Sequence, residues 1–175
     1  MDYRPGDIIA FRGRNWFSRQ ILKHSGNTVS HVGMIVGTEP TLITEALWRV
    51  RTHALAEALD GCDRAWLISD YSLPQNVRDK IVLRASLLSA DGYGIAGILL
   101  QAIDVACNTT WFTDHLGGHL ARHPICSYLV ASAYAMYGLT FGKKMAESVT
   151  PADIFTFAKE HPEIYTVTEI LADPQ

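Results

Sequence analysis

Residues 31–47 read HVGMIVGTEPTLITEAL, two short apolar runs rich in β-branched residues on either side of Thr38-Glu39-Pro40. Apolar runs bounded by turn residues predict a β-hairpin. Two polar residues interrupt it: His31 opens the first run, and Glu45 lies inside the second. Imidazoles and carboxylates seldom enter a core without a hydrogen-bonding partner. A turn centred on Thr38 pairs residue 35 with 41, and so sets His31 directly opposite Glu45, within the ~5 Å of cross-strand neighbours. A slip of one residue would send the two to opposite faces. The competing reading of this pair is a solvated sheet edge.

Around the hairpin, "GDIIAF" at 6–11 and "AWLISDY" at 65–71 read as further strands, "RVRT" at 49–52 as a continuation of the sheet, and "IYTVTEIL" at 164–171 as a late strand. "LAEAL" at 55–59 is a short helix candidate. Helices are expected over 72–90, with Ser72 as cap and Pro74 near the start, and over 95–106, 125–137 and 151–159. The last opens on Thr150 as N-cap with Asp153 three residues on. The pattern predicts one α+β domain over residues 1–175, with an antiparallel sheet drawn mainly from the N-terminal half and packed against helices.

The 175 residues are 48% hydrophobic and 19% charged with a net charge of −3, enough apolar chain for a sizeable core. There is no basic excess to neutralise phosphates, so no nucleic-acid partner is expected. "MDYRPGDIIAF" does not read as a secretory leader, and the longest apolar stretch, "GIAGILLQAIDVAC" at 94–107, is broken by Gln101 and Asp104. It falls short of the ~20 residues of a membrane span, so no integral membrane segment is expected. Three scattered cysteines, Cys62, Cys107 and Cys126, make no disulfide framework and fit a reducing, cytoplasmic compartment.

Cys126 lies in "RHPICSYLVASAYAMYG" at 122–138, where Pro124 suits a helix start and Gly138 its end. It precedes Leu129, Val130 and Ala133 by three, four and seven residues, which places it on their inward stripe. A helix N-terminus stabilises a thiolate, although a buried cysteine is more often a small hydrophobe. A thiol needs a base to be a nucleophile. Of the seven histidines, His24, His53 and His161 lie among polar residues and read as surface, whereas His31 opens an apolar strand. Cys126, His31 and Glu45 together supply a nucleophile, a general base and a group to orient the base.

The blocks "RPGDIIAFRG", "SHVGMIVG", "LITEAL", "ICSYLVASAY" and "SVTPADI" resemble the circularly permuted branch of the NlpC-type, papain-like hydrolase superfamily, in particular the YiiX-like group related to lecithin:retinol acyltransferases. The resemblance runs over most of the chain and is strongest at 4–13, 28–47 and 125–134. It implies a permuted papain-like fold with Cys126 as nucleophile, His31 as base and Glu45 as orienting residue. It also implies a peptide, amide or acyl-lipid substrate; no cofactor is expected. Tyr128 departs from the pattern, which commonly has an acidic residue after the "CS" pair. The segment "CNTTWFTDHLGGHLARHP" at 107–124 is divergent.

Two other readings compete. His115, His119, His123 and Cys126 are spaced by four, four and three residues, as metal ligands on one helix would be, but Gly117-Gly118 and Pro124 interrupt such a helix. A non-catalytic binding module on the same fold is the other, because fold does not dictate function. Tyr93 is a candidate cleft residue. Trp16, Trp48, Trp111 and Phe112 are candidates for an apolar acyl groove, with core packing as their default role.

Overall fold

The computed structural model describes residues 2–46, 50–90, 125–143 and 145–171. The strands are β1 (Ile8–Gly13), β2 (His31–Thr38), β3 (Thr41–Ala46), β4 (Val50–Ala54), β5 (Cys62–Asp70) and β6 (Tyr165–Leu171). They form one antiparallel sheet of order β4-β3-β2-β1-β5-β6. The helices are α1 (Trp16–Ser25), α2 (Leu55–Asp60), α3 (Gln75–Ala90), α4 (Ile125–Ala135) and α5 (Pro151–Glu160).

Alternation along the strands divides the apolar residues between two faces. Ile8, Ala10, Val32, Met34, Trp66 and Ile68 pack with Ile81, Ala85, Leu129, Val130, Ala133 and Ile154 of the long helices. Ile9, Phe11, Ile35, Ile43, Ala65 and Leu67 form the opposite layer, joined by Leu55 of α2. Central strands β1 and β2 are covered on both sides and are correspondingly apolar on both.

Helix α1 is an element the sequence reading leaves unassigned. Its signals are local: the Asn15 side chain accepts from Ser18 N–H at 2.7 Å, and Gly26, at φ 66°, closes the helix in the left-handed conformation that glycine adopts freely. Helix α5 has the expected capping box between Thr150 and Asp153. Ser72 does not cap α3; its hydroxyl donates to Asp70 Oδ1 at 2.6 Å, and α3 begins after Pro74. Trp16 is 59% exposed and so belongs to no core layer. No helix among the described residues is long and apolar enough to cross a membrane. The expected 95–106 helix, Cys107, Tyr93, Trp48, Trp111, Phe112 and the His115/His119/His123 set lie outside the described residues.

Candidate active site

The hairpin register differs from a turn centred on Thr38. Thr38 pairs Thr41 and Gly37 pairs Leu42 around a two-residue turn, then Ile35 pairs Ile43 and Gly33 pairs Glu45. Continued regularly from the turn, that pairing would match residue 34 with Glu45 and put His31 and Glu45 on opposite faces. Val36 is the extra residue of a bulge between Ile35 and Gly37, and it restores the parity. His31 and Glu45 therefore share a face but meet diagonally rather than directly opposite. Gly33 stands between them, across from Glu45. A Cβ there would come within 2.7 Å of Ile43 Cδ1 and 3.2 Å of the Glu45 Cβ, so any larger residue would push on both side chains.

Across the diagonal, His31 Nε2 and Glu45 Oε2 are 2.8 Å apart. The His31 ring also stacks on Phe11, its partner in β1, with centroids 5.6 Å apart and planes 29° apart. His31 is the first residue of β2, so its ring sits at the strand end, where the first turn of α4 arrives. There it shares a hydrogen bond with the thiol of Cys126, a residue only 8% exposed.

The electrostatics follow from this packing. Burial would depress the His31 pKa, but the charge and hydrogen bond of Cys126, joined by those of Glu45, outweigh it and raise it to about 10. Burial would raise the Glu45 pKa, but His31 and then His53 bring it down to about 2. For Cys126, burial pushes the thiol pKa up; His31 and the backbone N–H groups of Val32 and Ser127 bring it below the ordinary value. These shifts run toward a thiolate–imidazolium pair backed by a carboxylate. Cys62 is the contrast: its thiol donates to Ala58 O at 3.3 Å, and burial and the Glu45 charge push its pKa up to about 11.

Sequence reasoning placed His53 on the surface, and the structure corrects this. His53 is a partly buried member of the site, its Nε2 2.9 Å from Glu45 Oε1. Arg51 Nη2 donates to the same oxygen at 3.2 Å. The missing signal is the β3–β4 register, which pairs Glu45 with Arg51 and Ile43 with His53, so both side chains share the Glu45 face. Had "RVRT" been paired with "LITEA", the alternation would have exposed both.

No family model matches the chain, and no curated protein matches it. Among solved structures, YiiX from Escherichia coli O157:H7, described as a metalloprotein, superposes over 100% of both chains with a TM-score of 0.56 at 14% sequence identity. The fold is YiiX-like. Sequence identity this low carries the architecture alone, so the chemistry of the YiiX-like scaffold in this chain has to be argued from its own residues.

Proposed function

We propose that this chain is a cysteine-dependent hydrolase, or an acyltransferase of the same mechanism, acting on a peptide, amide or ester bond on a permuted NlpC-type, papain-like scaffold. The observation that carries the reading is the contact of the Cys126 thiol with a partly buried imidazole that is itself held by a buried carboxylate. With Nε2 of His31 committed to Glu45, Nδ1 is the ring nitrogen left to exchange a proton with the thiol.

In the proposed cycle the Cys126 thiolate attacks the carbonyl carbon and forms a C–S bond, while the carbonyl π pair moves to oxygen. The N–H of Cys126, at the start of the described part of α4, is the proposed donor to this oxyanion; one such donor is worth roughly 3–4 kcal/mol in the transition state. Collapse breaks the bond to the leaving amine or alcohol, which takes the proton from the His31 imidazolium. His31 then removes a proton from water, or from an acceptor hydroxyl or amine, as that nucleophile attacks the thioester and releases the thiolate.

The metal reading of YiiX transfers poorly to the described residues. Both Glu45 oxygens are engaged by His31, His53 and the Arg51 guanidinium, and a protonated His31 has no lone pair to give. A cation would have to displace Arg51 and deprotonate His31.

The test is alkylation by iodoacetamide across pH, read by peptide mass spectrometry, with a panel of amide and ester substrates. Cys126 is expected to react at pH values where Cys62 is silent, and Cys126→Ala to lose turnover. Equal reactivity of the two thiols, or full turnover by Cys126→Ala, would remove Cys126 as the nucleophile and with it the proposal; no turnover by the wild-type chain on any substrate, with an unreactive Cys126, would favour a binding module.

A further inference from the structure

Resting on the cysteine-hydrolase reading, we propose that His53 is a positioning residue of the site: it holds Glu45 by the oxygen that His31 does not use, and so fixes the direction in which the carboxylate meets the base. Glu45 is long and reaches its target on a diagonal past Gly33, a geometry that direct cross-strand pairing does not enforce. Something must pin its free oxygen. Two donors do so, His53 Nε2 at 2.9 Å and Arg51 Nη2 at 3.2 Å. Arg51 is 44% exposed and exchanges its bond readily with water, whereas the His53 side chain is 9% exposed and held on β4.

The far side of the ring supports an oriented role. His53 Nδ1 is buried without a hydrogen bond, lying 3.3 Å from Glu57 Oε2 in poor geometry. An imidazole in a merely structural position would be turned to satisfy both nitrogens. Here the ring keeps Nε2 on Glu45 at 2.9 Å and leaves Nδ1 only the longer ion-pair contact with the exposed Glu57 at 3.3 Å. An ionised carboxylate accepts only, so Nε2 must carry the hydrogen in both His31 and His53. Among the described residues, the titratable or charged groups about His53 are Glu45 of β3, Glu57 of α2 and its strand neighbour Arg51.

The test compares the wild-type chain with His53→Phe, which keeps a ring but removes the donor, and His53→Gln, whose side-chain amide can donate to Oε1. The readout is the pH profile of Cys126 alkylation by iodoacetamide. His53→Phe is expected to move the midpoint upward by about one pH unit, a tenfold slower reaction below it, because a misdirected Glu45 supports the imidazolium less. His53→Gln should return most of the shift. An unchanged profile in folded His53→Phe, a downward shift, or no rescue by His53→Gln overturns the assignment. Should His53→Phe fail to fold, nitrogen-15 NMR of the wild-type histidines decides: a hydrogen on Nε2 of His53 at neutral pH supports the role, and its absence there overturns it. The two ideas fail separately. A wild-type Cys126 no faster than Cys62 removes the hydrolase reading, whereas a fast Cys126 indifferent to His53 removes only this inference.

Discussion

Cys126, His31 and Glu45 are each replaceable with a distinct expected outcome. Cys126→Ala deletes one buried sulfur and leaves a small cavity, so turnover should vanish while stability falls by about 1 kcal/mol. His31→Ala should equal it in activity, because the thiolate loses its counter-ion. Glu45→Gln should be milder: the amide oxygen can keep the bond to His31 if the amide NH2 faces His53 in its other tautomer. Activity equal to wild type in either alanine variant would contradict the triad. The lowered Glu45 pKa also has a stability consequence, since a carboxylate that titrates at about 2 when folded and near 4.3 unfolded stabilises the fold above pH ~4.5. That contribution, on the order of 3 kcal/mol, is lost as pH falls from about 4.5 to 2. Denaturation of wild type and Glu45→Gln should therefore show a stability gap that closes over this window; a gap constant with pH would contradict the assignment.

At the scale of elements, the site is a product of one hairpin and one helix end. Gly33→Ala tests the hairpin: the new Cβ meets Ile43 and the Glu45 Cβ, and overpacking of this kind costs about 1–3 kcal/mol. Because the displaced group is Glu45, the variant should also slow Cys126 alkylation even where it remains folded; a lowered melting temperature with unchanged alkylation would separate packing from positioning. The hairpin shows where sequence reading reaches its limit. Two misplaced polar residues revealed that His31 and Glu45 belong together, since burial leaves such groups few options. The register that joins them was not legible, because a bulge at Val36 adds one residue without any marked change in composition. His53 and Arg51 were missed for a related reason: the polarity of "RVRT" and its neighbour reads as solvent exposure until the strand is paired with β3. Helix α1 was legible in principle, with cap residues at both ends and an amphipathic interior, but its low overall apolar content hid that pattern. The Cys126 helix was legible because proline, glycine and an apolar stripe all agreed on its bounds.

Across the whole molecule, a buried polar hub ties the strand that carries His31 to the helix that carries Cys126. Gly6 N–H donates to Ile35 O and Ile35 N–H to Asp7 O, each at 2.8 Å, which ties the turn before β1 to the strand that carries His31. The Tyr134 hydroxyl donates to Gly6 O at 2.5 Å and ties the same turn to α4, which carries Cys126. Arg78 of α3, 1% exposed, closes the hub: it donates to Asp7 Oδ1 at 2.9 Å, to Pro5 O at 3.2 Å and to Asp70 O at the end of β5. Arg78→Met removes the partner of a fully buried carboxylate while keeping most of the side-chain volume, and an uncompensated buried charge costs about 3–5 kcal/mol. Adding Asp7→Asn removes that charge, and a paired replacement is far less costly than a broken pair. The urea midpoint should therefore fall steeply in Arg78→Met and recover in large part in the double variant, with Tyr134→Phe losing about 1–3 kcal/mol for one buried acceptor left unpaired. If the double variant is as unstable as Arg78→Met alone, the backbone carbonyls of Pro5 and Asp70, and not the carboxylate, are what Arg78 is there to satisfy.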